Sequence, residues 1–194
     1  SGTYPERLKQ SSVTPIHKGG DPLDCINYRP ISLLPLIDKI FEAILYNQLT
    51  RYLESRRIFD PLQYGFRQGR GCNEAVCMML SHISNIIESG KNALVISLDI
   101  SKAFDSVDHR ILLRKLNFLG IRGLSYDVIC SFLTNRKQSV KIDQSFSSPA
   151  IVDLGVPQGS NLGPLLFNLM INDISGLTMN SKLLKYADDI IMIL

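Results

Sequence analysis

Two adjacent acids, Asp188 and Asp189, stand between apolar runs in "LLKYADDIIMIL", and a third, Asp99, ends the apolar run "NALVISLDI". Neighbouring carboxylates repel and are costly to desolvate, so such a pair persists between apolar segments when a cation neutralises it or the site stays wet. If the strand ending at Asp99 lies beside a hairpin bent at Asp188 and Asp189, three carboxylates converge at one sheet edge. That donor set suits Mg²⁺, which takes carboxylate oxygens, keeps waters and binds substrate phosphates. A pair of such ions can activate an attacking hydroxyl and stabilise a departing pyrophosphate. The bland alternative is an Asp-Asp pair that only punctuates a surface turn.

The elements that would hold these acids can be read from periodicity and turn residues. Residues 1–36, rich in Pro and Gly, suggest short strands around "KGGDP" in a strand-and-loop lobe. Ile37 to Glu54 should be a helix whose buried stripe is Ile37, Ile40, Phe41, Ile44, Leu45, Leu49, Tyr52 and Leu53. After the break "DPLQYGFRQGRGC", Asn73 to Glu88 should be a second helix, with Val76, Met79, Leu80, Ile83, Ile86 and Ile87 as its stripe and Gly90 beyond its end. "NALVISLDI" is the strongest strand. "DHRILLRKLNFLG" and "SYDVICSFLTNR" read as short helices, the second capped by Ser125. "QSVKIDQSFSSPAIVDLGV" gives two strands, "PQGSNLGPLLFNLMINDI" a turn and an apolar helix, and "LLKYADDIIMIL" a hairpin. The expected class is α+β, an antiparallel sheet with helices on one face.

Composition bounds the rest. With 194 residues, 45% hydrophobic and 20% charged, the chain can bury a core and is not disordered in bulk. Its apolar runs are too short to span a membrane and no signal peptide is evident, which leads to an expectation of an intracellular protein, cytoplasmic or nuclear, without a membrane partner. Cys25, Cys72, Cys77 and Cys130 lack metal-knuckle spacing and read as reduced thiols. The whole net charge of +3 lies in residues 1–70, where 10 Lys and Arg face 7 Asp and Glu, and this favours an anionic partner for that part.

Taken in order, the blocks "KGGDPLDCINYRPISLLP", "QYGFRQGRGCNEAV", "LDISKAFDSVDH", "GVPQGSNLGPLLF" and "KYADDIIMIL" resemble the reverse transcriptase of non-LTR retrotransposons of the jockey or CR1 kind, from about Val13 to Leu194. The resemblance implies the fingers and palm of a right-hand polymerase, with fingers over about residues 1–90 and palm over 91–194. The chain would then stop just past the YADD hairpin, without the thumb. By that likeness Asp99, Asp188 and Asp189 are the catalytic metal ligands, joined by the backbone of Ile100, for two Mg²⁺ or Mn²⁺ ions. Phe104 matches the aromatic that excludes a ribose 2′-hydroxyl, although an aromatic there is also ordinary core.

The same resemblance places Gln158 and Gly159 at the incoming nucleotide, where Gly permits close backbone approach and Gln offers both donor and acceptor. Lys18 and Arg29 match the residues that hold the triphosphate, a task for a point charge and a fork. Tyr64, Phe66, Arg67 and Arg70 match a single-stranded template track, with cations for phosphates and aromatics for stacking. Each also has the plain reading of a surface loop. The block Gly71-Cys72-Asn73-Glu74 departs from the family's Ser-Thr and Asp, leaving the start of the second helix open. The implied activity is RNA-directed DNA synthesis in retrotransposition, with an RNA template, a DNA primer and deoxynucleoside triphosphates as partners. The rivals are an RNA-dependent RNA polymerase, a catalytically inactive nucleic-acid-binding or domesticated module, and a purely structural palm whose acids are surface turns.

Overall fold

The computed structural model describes residues 1–177 and 181–194. The chain runs β1 (Gln10–His17), β2 (Tyr28–Leu33), α1 (Leu36–Ser55), α2 (Cys72–Glu88), β3 (Val95–Asp99), α3 (His109–Phe118) and α4 (Leu124–Leu133). It continues through β4 (Arg136–Ile142), β5 (Ser145–Phe146), β6 (Ala150–Val152), α5 (Leu162–Met170), β7 (Lys182–Tyr186) and β8 (Asp189–Ile193). The class is α+β, as expected.

Two sheets organise these elements. In the five-stranded sheet, β1 and β2 form an antiparallel hairpin and β4 lies parallel to β1, carrying β5 and β6 antiparallel to itself. This sheet is therefore mixed. Strands from residues 136–152 join strands from the first 33 residues, so a division of the chain near residue 90 does not divide the sheets. The second sheet is antiparallel throughout, in the order β3-β8-β7, with the two long apolar runs of the sequence as its neighbouring strands.

Helices α1, α3, α4 and α5 enclose the main core, in which Leu53, Leu112, Leu116, Ile129, Phe132 and Leu162 are fully buried. Burial of each such side chain contributes about 1.5–3 kcal/mol. Helix α5 is apolar nearly all round, as a helix inside a core must be, and seven of its nine residues are buried. A smaller cluster of Tyr64, Ala75 and Leu184, with Met79 against it, joins α2 to β7.

Three helical expectations require correction. Along α1, Ile37, Ile40 and Ile44 are exposed while Asp38 and Glu42 are fully buried. The inward face there meets polar groups of Tyr4, Arg136 and the start of α5, and those groups override the apolar pattern. On α2, Val76, Leu80 and Ile87 are exposed and Ala75 is the buried residue, because the helix touches its sheet through Ala75 and Met79. Ser125 lies inside α4 and does not cap it; the cap position is Gly123, whose φ of 58° suits a residue without a Cβ. All four cysteines are free. Among the described residues no helix is long and apolar enough to cross a membrane.

Candidate active site

The register of the antiparallel sheet sets Asp99 on β3 directly opposite Asp189 on β8, and Tyr186 on β7 opposite Asp189 in turn. Side chains directly opposite share a face, with Cβ atoms about 4.5–5.5 Å apart, and like charges so placed are destabilising. The third acid, Asp188, is half-buried in the two-residue turn between β7 and β8. Ile100 follows Asp99 directly and packs partly against the main core. Among the described residues no ion pair reaches these three carboxylates, and no three His, Cys, Asp or Glu side chains close into a metal-holding group. A hard-oxygen set of this openness fits Mg²⁺, which keeps several waters and takes substrate phosphates rather than a complete protein cage.

The turn is supported from beneath by the "QYGF" loop. Tyr64 N–H donates to the carbonyl of Lys185 at 2.8 Å, and Lys185 N–H donates to that of Leu62 at 2.8 Å. This register slides Gly65 under Ala187, where any Cβ on residue 65 would meet backbone atoms of Ala187 and Tyr186. Asn168 of α5 ties the loop down, its Nδ2 donating to Gly65 O at 2.8 Å. Lys185 is fully buried and pairs with Asp60 at 2.6 Å. Burial alone would raise the Asp60 carboxyl, but hydrogen bonds from Lys185, Ser175 and Leu62 N–H hold it below the usual carboxylate range. Neither Asp60 nor Lys185 follows from a local pattern; the only sequence signal is a charged residue inside an apolar strand.

Phe104 sits in the turn after β3 as part of an aromatic row. Its ring centroid is 4.9 Å from that of Phe167 and 6.2 Å from that of Phe66, which neighbours Gly65. The two expectations for Phe104 are compatible, since it packs on the core and remains partly accessible. Three non-glycine residues of this neighbourhood, Phe66, Lys102 and Ala187, have φ between 51° and 57°. Such backbone is costly for residues with a Cβ and collects at functional sites.

The "GVPQG" loop closes on this turn. Val156 N–H donates to Phe104 O and Gly155 N–H to Val107 O, both at 2.8 Å, and a Cβ on Gly155 would strike the backbone of Phe104 and Asp105. His109 Nε2 donates to Gly155 O at 2.6 Å. Gln158 and Gly159 then dock on β2: Ser32 N–H donates to Gln158 O at 2.7 Å, and Gly159, with φ of 119°, passes tight against Ser32 O. The Gln158 amide donates to both oxygens of Asp105, at 2.9 and 3.0 Å. Asp105 is a site residue that the sequence reading passed over; its adjacency to Phe104 was the available signal.

The remaining candidates fall into separate places. Lys18 and Arg29 are exposed at the free end of the β1–β2 hairpin, where Arg29 pairs in register with Ile16 and Lys18 N–H bonds to Asn27 O. Of the four template-track residues, Tyr64 is buried. Arg67 is consumed internally: it forks onto Glu54 at 3.0 and 2.8 Å, donates to the carbonyls of Asp60 and Gln63, and lies over the Phe59 ring. With its side chain 7% exposed, it organises the loop and has no fork left for a phosphate. Phe66 is exposed, and Arg70 is half-buried over the Tyr64 ring.

A second set of buried acids props the loop from behind. Glu42 Oε2 accepts from Asn161 N–H and from Leu162 N–H, so a carboxylate of α1 satisfies the open N-terminus of α5. Burial pushes the Glu42 carboxyl up to about 7 despite those hydrogen bonds. Asp38, one turn earlier, accepts from the Tyr4 hydroxyl, and burial raises both groups, while burial lowers the Arg136 guanidinium beside them.

Comparison with known proteins shows the family and the fold. The family described as reverse transcriptase (RNA-dependent DNA polymerase) matches residues 16–194. The probable RNA-directed DNA polymerase from transposon BS of Drosophila melanogaster is 34% identical, over 98% of this chain and 22% of that protein. The RNA-directed DNA polymerase from mobile element jockey of Drosophila funebris is 36% identical, over 97% of this chain and 21% of that protein. The chain thus spans about a fifth of the length of these curated relatives. Among solved structures, apo telomerase from Candida tropicalis, truncated from its C-terminal domain, superposes with a TM-score of 0.70 at 15% identity, over 96% of this chain and 44% of that one. At that identity the likeness speaks for the fold alone. With the family match running over nearly the whole length and two relatives above 30% identity, the chain belongs to the reverse transcriptase (RNA-dependent DNA polymerase) family.

Proposed function

We propose that this chain is the fingers-and-palm part of an RNA-directed DNA polymerase of a non-LTR retrotransposon, adding deoxynucleotides to a primer 3′-hydroxyl on an RNA template. The observation that carries the reading is the pairing of Asp99 with Asp189 across two strands, next to a turn that holds Asp188. Carboxylates placed directly opposite across two strands repel, and an ion held by both would offset that repulsion. Two divalent ions held by Asp99, Asp188, Asp189 and the Ile100 carbonyl would supply activation of the primer hydroxyl and stabilisation of the leaving pyrophosphate.

The chain's own groups would orient the substrates. Phe104, packed against Phe167, would stand where a ribose 2′-hydroxyl would collide, favouring deoxynucleotides. Gln158 and Gly159 face the nucleotide from the loop docked on β2, and Lys18 and Arg29 reach the triphosphate from the hairpin tip. Phe66 and Arg70 meet the template, while Tyr64 and Arg67 support that loop from inside. The protein acts inside the cell.

The test is thermal unfolding with Mn²⁺ or Mg²⁺ and a deoxynucleoside triphosphate, beside primer extension by a longer chain that contains these residues. Ligand at 100 times its Kd stabilises the folded state by about 2.7 kcal/mol, so metal and nucleotide together should raise the midpoint of the parent and not of Asp188→Asn. Asp188→Asn should abolish extension. Salt-sensitive nucleic-acid binding without metal-dependent extension would instead identify an inactive binding module, and preferred incorporation of ribonucleotides would identify an RNA polymerase.

A further inference from the structure

Within the polymerase reading, on which this inference rests, we propose that Asp105 is a positioning residue that aims the Gln158 amide so that it offers the incoming nucleotide a hydrogen-bond acceptor. The backbone on both sides of Gln158 is clamped: Val156 N–H is bonded to Phe104 O at 2.8 Å, and Ser32 N–H to Gln158 O at 2.7 Å. Gly155 and Gly159 pass so near other backbone that a Cβ at either would meet it, at 2.8 Å on Asp105 Cα and 2.7 Å on Ser32 O. What the backbone leaves undecided is the direction of the side-chain amide, which has a donor end and an acceptor end.

Asp105 decides it. An ionised carboxylate only accepts, so the Nε2 end of Gln158 must face it, and both oxygens take part, at 2.9 and 3.0 Å. Hydrogen bonds to a charged acceptor are about twice as strong as neutral ones. Oε1 is then the end left for a ligand, and the matching ligand group is a donor: a sugar hydroxyl or an N–H of the base. The surroundings make this restraint necessary. A cavity of about 480 Å³, lined by Pro30, Ser32, Asp105, Gln138, Leu154 and Gln158 among others, lies against the pair. Without Asp105 the Gln158 side chain has space to swing away. Asp105 also follows Phe104 in the chain, so sugar exclusion and amide direction are set by one turn.

The test is a double-mutant cycle on deoxynucleoside triphosphate affinity, measured by titration of this chain in Mn²⁺, with the unfolding midpoint of each variant recorded without nucleotide. Asp105→Ala and Gln158→Ala should each weaken binding about tenfold, and the double variant should be no weaker than Gln158→Ala. Asp105→Asn conserves volume and an acceptor oxygen, so it should stay within about threefold of the parent, and it carries the test if the alanine variant fails to fold. Additive losses, or an Asp105→Ala affinity equal to the parent's, would overturn the proposal while leaving the polymerase reading intact. A parent that binds no metal-nucleotide, indistinguishable from Asp188→Asn, would overturn the reading and this inference with it.

Discussion

Gly65 lies beneath Ala187 so closely that a Cβ at position 65 would come within 2.9 Å of Ala187 Cα and of the Tyr186 carbonyl carbon, and closer still to Ala187 N. The turn that presents Asp188 therefore rests on a bare backbone 122 residues from Ala187 in the chain. It is held in a conformation, φ of 57° at Ala187, that no local preference would choose.

The first prediction follows from that contact. Gly65→Ala must push the turn outward, because the opposing atoms are backbone and cannot rotate aside. Overpacking of this kind costs about 1–3 kcal/mol. The unfolding midpoint should fall, and the metal-dependent rise in midpoint should disappear even at temperatures where the variant is fully folded. A folded Gly65→Ala protein with the parent's metal response would disprove the support role.

Under the same turn the fully buried Lys185 pairs with Asp60, whose side chain is 9% exposed. Lys185→Met leaves the Asp60 carboxylate buried without its partner, and breaking such a pair by removing one member costs about 3–5 kcal/mol. Denaturant unfolding should show that loss at pH 7. The folded Asp60 carboxyl lies below its usual value, so its contribution is present above that value and is lost as pH falls through the folded one. The parent should therefore lose this stability in strong acid, and the variant should have none of it to lose.

Glu42 predicts the opposite slope. Its folded carboxyl is raised from 4.5 to about 7, so the folded state holds a proton that the unfolded state releases, and stability falls as pH rises between those values. A displacement of that size corresponds to roughly 3 kcal/mol. Glu42→Gln retains an oxygen for the Asn161 and Leu162 N–H groups without the charge. Unfolding followed from pH 4.5 to 8 should decline in the parent, to which the raised Asp38 adds in the same direction, and be flatter in the variant.

Phe104 can be tested for sugar selection apart from stability. Phe104→Val opens space beside the sugar while conserving an apolar group against Phe167, and loss of a steric block of a few methylene groups should raise ribonucleotide use relative to deoxynucleotide by about 10- to 200-fold. Primer extension with each nucleotide class reads this ratio directly. An unchanged ratio would leave Phe104 as core alone.

Much of this architecture is legible along the chain because its causes are local. The apolar runs ending at Asp99 and flanking Asp188 and Asp189 become β3, β7 and β8, as their β-rich composition implies. The cover expected over the first run is not found, since Val95 and Leu98 of β3 are exposed while β7 is buried through Leu183, Leu184 and Lys185. Helices α1 and α2 begin within one residue of their expected starts, because the 3.6-residue pattern and the flanking Pro and Gly are written into adjacent residues. The ordered blocks from Val13 to Leu194 name the family for the same reason: they are short, contiguous and chemically specific.

What folding adds is contact between residues far apart, for which no local period exists. The opposition of Asp99 to Asp189, the seat of Ala187 on Gly65, the grip of Asp105 on Gln158 and the cap that α1 provides for α5 through Glu42 join segments 53 to 122 residues apart or are fixed by strand register. The same pairing reversed simple expectations: Arg67, an apparent phosphate ligand, became a buried loop strut on Glu54, and Ile37, Ile40 and Ile44 were left outward so that Asp38 and Glu42 could face in. Periodicity records which residues prefer to leave water. It carries no record of which distant backbone or carboxylate will meet them, and at this site those meetings set the geometry.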